Sequence, residues 1–201
     1  MLYLCRVAVL IPVVLLAGAG VAAAQSQRLS ADRPLSFVDA DGRAVRSTDF
    51  RGKWLLVYFG YMHCADLCPT GLTVLANALD QIGPAARHVQ PLFVTVDPER
   101  DHGPPLRTFT AAFDKRLLGL SGSVDEIKTA AAALGVSFTK VAQGADYVVD
   151  HSSSYALVDP AHARAEILRI AEPHMLAAKL IDVLAKAGVP LDNVNNAGAY
   201  R

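Results

Sequence analysis

Three things are scarce in this 201-residue chain: net charge, cysteine and long hydrophobic runs. Nineteen basic side chains face nineteen acidic ones, so the formal charge is zero. That balance excludes the basic footprint of a nucleic-acid binder and a strongly cationic membrane-binding face. No internal repeat or low-complexity tract occurs, which sets repeat architectures aside. There are three cysteines, and one apolar stretch without a charge, residues 7–24, runs for 18 residues. What is present is apolar material: 52% hydrophobic and 19% charged residues suit one globular domain with a full core and do not call for a second.

That apolar stretch decides what belongs to the fold. Arg6 supplies a thin basic region, Val7 to Leu16 an apolar centre, and Ala22-Ala23-Ala24 before Gln25 the small residues of a cleavage site. Residues 1–24 therefore read as a signal peptide. The competing reading is an uncleaved N-terminal anchor, since 18 residues is the lower limit for a spanning helix; Pro12 and the Gly/Ala-rich second half count against it. On either reading the working domain, residues 25–188, acts outside the cytoplasm, followed by a loose tail over 189–201. Removing 1–24 takes out Cys5 and Arg6. Two cysteines remain, with a net charge of about −1.

Those two, Cys64 and Cys68, lie in Tyr58-Phe59-Gly60-Tyr61-Met62-His63-Cys64-Ala65-Asp66-Leu67-Cys68-Pro69. The apolar run Trp54–Phe59 reads as a strand buried on both faces, and Pro69 suits the first turn of a helix. Both thiols thus fall at one strand-to-helix corner. Positions i and i+4 share a helix face, so the sulfurs can hold one metal ion or close a short disulfide. A helix N-terminus also favours thiolates. A structural disulfide is the plain expectation for an exported protein. Bridging four residues, however, gains little chain entropy, which points to a reactive or metal-binding pair instead. Asp66 either caps the helix or supports the thiols from behind.

In order, Leu35–Val38 and Arg43–Val45 around Asp39-Ala40-Asp41-Gly42 form an N-terminal β-hairpin. Leu72, Leu75, Leu79 and Ile82 mark a helix face that Gly83-Pro84 ends. Leu92–Val96 is a strand closed by Asp97-Pro98-Glu99-Arg100-Asp101, Pro104 to Phe113 a helix, Leu117–Leu120 a strand and Ser123 to Leu134 a helix. Tyr147-Val148-Val149-Asp150-His151-Ser152 leads into the strand Tyr155–Val158, Ala165 to Ile170 pairs with it, and Pro173 to Ala187 is the closing helix. This alternation predicts an α/β sheet with parallel strands. A histidine beside a strand is usually a surface residue; His88, His102, His162 and His174, lacking any constellation, are expected to face solvent. Met62 and His63 stand as auxiliary donors beside Cys64. The Asp97–Asp101 turn lies at the carboxyl end of a strand, where ligands and partners dock.

Taken together, the thiol motif from Tyr58 to Pro69, Val94-Thr95-Val96-Asp97-Pro98-Glu99-Arg100-Asp101, and Asp150-His151-Ser152 before Tyr155-Ala156-Leu157-Val158-Asp159-Pro160 resemble the Sco/SenC family over roughly residues 30–187. The resemblance implies a thioredoxin-like fold, a central mixed sheet flanked by helices. It implies one copper, Cu(I) or Cu(II), bound by Cys64, Cys68 and His151, with Asp66 behind the ligands. It further implies a role as metallochaperone to the binuclear copper centre of cytochrome c oxidase, in a bacterial periplasm. A copper-accepting oxidase subunit, another copper chaperone and a thiol reductant are the expected partners, with membrane contact only through residues 7–24. Ala65 where proline is frequent and Ser153-Ser154 in a stretch often richer in Ile are departures that remove no donor atom. The ligand set makes chemical sense by itself: thiolates and imidazole select copper or zinc over calcium or magnesium. Three donors also fall short of the four of structural zinc and leave room for a partner's ligand. The alternative is an enzyme, a thiol-disulfide oxidoreductase cycling Cys64 and Cys68 as a redox-active pair, for which His151 is dispensable. A peroxidase reading requires a remote resolving cysteine, which the spacing of this pair does not supply.

Overall fold

The strand Trp54–Gly60 (β4) is the spine of the protein, with Leu55 through Phe59 all 0–2% exposed. An unbroken run of aliphatic and aromatic side chains suits a strand covered on both faces, and each such side chain contributes about 1.5–3 kcal/mol on burial. The computed structural model describes residues 26–29, 34–64 and 67–191. The expected signal peptide or anchor, Ala65, Asp66 and nearly all of the tail lie outside them.

Around the spine an eight-stranded mixed sheet forms in the order β1-β10-β9-β4-β5-β6-β2-β3. Its other strands are β1 (Ser26–Arg28), β2 (Ser36–Asp39), β3 (Ala44–Arg46), β5 (Val89–Thr95), β6 (Leu118–Ser121), β9 (Tyr155–Val158) and β10 (Arg164–Leu168). β4, β5 and β6 run parallel, while β9 lies antiparallel on the other side of β4 with Tyr58 opposite Tyr155. β2 and β3 are the expected hairpin, added antiparallel to β6. Helices flank the sheet: α1 (Leu67–Gln81) packs on α4 (Pro173–Lys186), α2 (Pro104–Phe113) on β6 and α3 (Val124–Ala133) against β2. Ser123 caps α3 in a reciprocal box with Glu126.

Besides the added edge strand β1 and a 3-10 turn at Ser47–Phe50, two elements depart from the sequence reading. The first is a 3-10 segment, Gly83–His88, which continues the chain beyond α1 past the expected stop at Gly83-Pro84. The second is a separate two-stranded hairpin of β7 (Phe138–Gln143) and β8 (Asp146–His151). Gln143 pairs with Asp146, so the loop is the two residues Gly144-Ala145, with Gly144 at φ 64°. Glycine at the first position of a two-residue loop between β-rich runs is a hairpin signal that was available in the sequence. The consequence is large, because His151 is the last residue of β8. It rides on an arm.

Candidate metal centre

The thiol corner forms where β4 runs out. The Gly60 carbonyl takes the Val96 N–H at 2.8 Å, the chain turns with the Cys64 N–H donated to the Tyr61 carbonyl at 3.3 Å, and α1 begins at Leu67. Cys68, in the first turn of α1, is fully buried, and Cys64 is half-buried. Both are free thiols. Gly60 lies directly beneath Cys68: a Cβ there would come 2.9 Å from the Cys68 Sγ and 2.9 Å from the Phe93 ring. The glycine makes room for the sulfur.

His151 meets the thiols from the other side, with its Nε2 3.1 Å from the Cys68 Sγ and its Nδ1 3.3 Å from the Ser152 carbonyl. A carbonyl only accepts, so Nδ1 carries the ring proton and Nε2 presents its lone pair. The edge-on Tyr61 ring, 6.0 Å between centroids, supports the imidazole. Burial pushes the His151 pKa down and the Cys68 thiol well up. A neutral imidazole beside a protonated thiol is the pairing a short S–H···N contact requires. The expectation that a helix N-terminus would favour the thiolate is thus corrected for Cys68. Its sulfur is wholly out of water, and desolvation outweighs the helix dipole.

The donor atoms of Cys64, Cys68 and His151 all lie within 4.8 Å of one another, the metal-competent group of this kind among the described residues. With thiolate and imidazole bonds of about 2.0–2.3 Å, one ion reaches all three after sub-ångström adjustment. Two soft donors and one borderline donor fit copper or zinc. Of the candidate auxiliary donors, His63 does not join them. Met62 donates its N–H to Asp101 at 2.8 Å, and His63 turns its Nδ1 toward the same carboxylate, 3.6 Å away.

His102 and His174 are exposed as expected. His162 is not: it is 7% exposed, sits at φ 55° in the turn between β9 and β10, and is held there by its N–H to the Asp159 carbonyl at 2.9 Å. His88 is half-buried, with its Nε2 enclosed. The Asp97–Asp101 turn stands at the carboxyl end of β5 with Glu99 exposed, while both of its aspartates are completely buried and face inward.

Fold and site together define a class: a thioredoxin-like protein whose strand-to-helix corner sets two thiols against an imidazole at metal-ligand spacing. The SCO1/SenC family model matches residues 23–186, and the chain belongs to that family. It is 40% identical over 129 residues to "Protein SCO1 homolog 1, mitochondrial" of Arabidopsis thaliana, covering 63% of this chain and 39% of that protein. It is likewise 40% identical over 129 residues to "Protein SCO2 homolog, mitochondrial" of Bos taurus, covering 62% and 48%. The chain therefore spans half or less of those relatives' lengths. Among solved structures it is similar to Bradyrhizobium japonicum ScoI with copper bound (TM-score 0.67, 34% identity, 75% of this chain and 97% of that one). Arabidopsis thaliana ScoI with copper bound is similar as well (TM-score 0.71, 33% identity, 77% and 98%). A more distant neighbour, BsSco, shares the fold at 22% identity and a TM-score of 0.60 over 85% and 97% of the chains; it is described as having a disulfide switch and as a member of the Sco family of cytochrome c oxidase assembly proteins.

Proposed function

We propose that this protein is a copper metallochaperone that carries one copper on Cys64, Cys68 and His151 and delivers it to the binuclear copper centre of cytochrome c oxidase during assembly. The observation that carries the reading is the convergence of two thiols and one imidazole within 4.8 Å. Copper-bound relatives at 33–34% identity support the choice of metal, and the description of the Sco family as oxidase assembly proteins supports the acceptor. The geometry suits transfer. Cys68 is the closed floor of the site, whereas half-buried Cys64 and His151 form a rim that an incoming ligand can reach. Loading exchanges the Cys68 thiol proton for the metal, because only the thiolate ligates. A copper-accepting oxidase subunit is the receiving partner. Residues 1–24 export the domain to a bacterial periplasm, or tether it to the inner membrane through residues 7–24; no described helix is long and apolar enough to cross a membrane.

The second reading is a thiol-disulfide oxidoreductase that reduces partner cysteines before copper insertion. It is favoured by the contrast between an accessible Cys64, able to attack, and an enclosed Cys68, able to resolve. One experiment separates the two. Reduced protein from Gln25 onward is loaded anaerobically with Cu(I), desalted and assayed for copper and for dithiol reductase turnover, beside Cys64→Ser, Cys68→Ser and His151→Ala. About one copper per chain in the parent, lost in all three variants, sustains the chaperone. Copper retention undiminished in His151→Ala would falsify the three-ligand site, and reductase turnover without copper retention would make the second reading the function.

A further inference from the structure

The turn Asp97-Pro98-Glu99-Arg100-Asp101 follows β5, contributes no metal ligand, and is nonetheless built around two carboxylates that are 0% exposed. Buried carboxylates are costly unless paired and hydrogen-bonded, so their partners reveal what they hold. Asp101 accepts the Met62 N–H and the Thr95 hydroxyl, each at 2.8 Å, through Oδ2. It therefore grips the corner that carries Cys64. Asp97 faces the other way. One of its oxygens pairs with Arg100 and the other accepts the Tyr147 hydroxyl at 2.8 Å, with Lys140 Nζ 3.8 Å from it.

Tyr147 belongs to the arm that carries His151. Arg100 lies over its ring, 3.9 Å from the centroid, and reaches the Asp146 carboxylate at 3.1 Å and the Tyr147 carbonyl at 3.3 Å. Lys140 from β7 sits over the same ring at 4.5 Å and pairs with Glu99. The arm has few other fastenings: β7 is exposed along nearly its whole length, Val149 is the one fully buried side chain of the hairpin, Phe138 packs against the core, and Tyr61 from the thiol corner hydrogen-bonds the Val149 backbone and meets the His151 ring. Side chains alternate across a strand, so Tyr147, Val149 and His151 share one face of β8. Four residues of strand separate the clamp from the imidazole, a lever of about 13 Å. A tilt of about 4° over that length moves the ring by about 0.9 Å, comparable with the sub-ångström adjustment that brings the three donors onto one ion.

We infer that this turn is a bracket aligning the two halves of the metal site: Asp101 holds the thiol corner, and Asp97 with Arg100 holds β8 at Tyr147 so that His151 arrives at bonding distance. Asp97, Arg100 and Tyr147 are positioning residues that act through His151. The inference rests on the three-ligand copper reading for its effect on metal binding, but its mechanical content is independent of copper.

The test uses Arg100→Gln and, as the milder change, Tyr147→Phe, each in the parent and in the His151→Ala background. In the metal-free reduced protein, amide exchange over 146–151 accelerates about ten-fold or more in the variants while β4 and β5 amides keep their protection, because a hydrogen bond to a buried charge has been removed. Cu(I) affinity, read by competition with a chromophoric chelator, falls about 10–100-fold, as when a group supporting a ligand is lost. In the His151→Ala background neither substitution lowers affinity further, the non-additivity that marks action through one residue. Arg100→Lys, which keeps the charge beside Asp97, restores part of the loss. Unchanged exchange over 146–151 in both variants overturns the bracket, as does an equal loss of affinity with and without His151. If the parent itself retains no copper, the metal reading fails and the exchange measurement alone decides the bracket.

Discussion

Gly60→Ala is the sharpest single probe of the site, because it adds one methyl group beneath Cys68 and changes no donor. Two effects oppose each other. Replacing glycine in an extended strand stabilises by about 0.4–1 kcal/mol through the unfolded chain. Against this, the new Cβ stands 2.9 Å from both the Cys68 Sγ and the Phe93 ring, and neither can yield easily, since both residues are 0% exposed. Opening 2.9 Å to the 3.4 Å of an ordinary contact displaces the sulfur or the strand by about 0.5 Å. Overpacking a filled core costs about 1–3 kcal/mol and wins. The displacement also adds to the adjustment that the Cys68 sulfur makes to reach the ion, so Cu(I) affinity drops by about ten-fold. Urea denaturation of the reduced metal-free protein and chelator competition read the two effects separately. A variant as stable as the parent that holds copper equally well would refute the assignment of Gly60 as the space-maker for the sulfur.

Asp101→Ala leaves the Met62 N–H and the Thr95 hydroxyl buried without their acceptor and lowers stability by about 2–4 kcal/mol. Asp101→Asn keeps an oxygen in the Oδ2 position and costs under about 1 kcal/mol; equal losses in the two variants by denaturant titration would contradict this accounting. The stability of the metal-free protein is bell-shaped in pH. Burial holds the His151 and His162 pKa values below the ordinary 6.5, so the unfolded chain binds protons that the folded one does not, and stability is lost as pH falls below about 6.5. Burial raises Cys68 above 9.0 and Tyr58 and Tyr155 above 10.0, so only the unfolded chain ionises there and stability is lost as pH rises beyond about 9. Thermal melts from pH 5 to 11 check both limbs, and a midpoint that climbs from pH 9 to 11 would contradict the upper one.

Much of the fold was legible in the chain because it is written in local patterns. The apolar run of β4 and the three-and-four spacing of Leu72, Leu75, Leu79 and Ile82 needed no partner to be recognised. The Gly144-Ala145 loop was legible too, but β7 is polar and largely exposed, so it carries no core-facing signal that separates a strand from a loop. Asp97 and Asp101 were harder still. Charged residues in a turn are ordinarily solvated, and only the packing of Met62 and Tyr147 around them reveals that they face inward. The burial of His162 is hidden for the same reason: a lone polar residue has no sequence pattern that reports burial.

By itself the sequence determined which atoms can do chemistry: two thiols four residues apart at a strand-to-helix corner, and a histidine more than eighty residues further on. Tertiary structure alone decided that the imidazole meets them at 3.1 Å, that Cys68 is the enclosed thiol, and that the Asp97–Asp101 turn braces both halves. The physical reason is that spacing along a chain governs contacts within one turn of helix or one strand pair, whereas the approach of β8 to α1, and the desolvation that sets each proton, arise only when distant segments share one core.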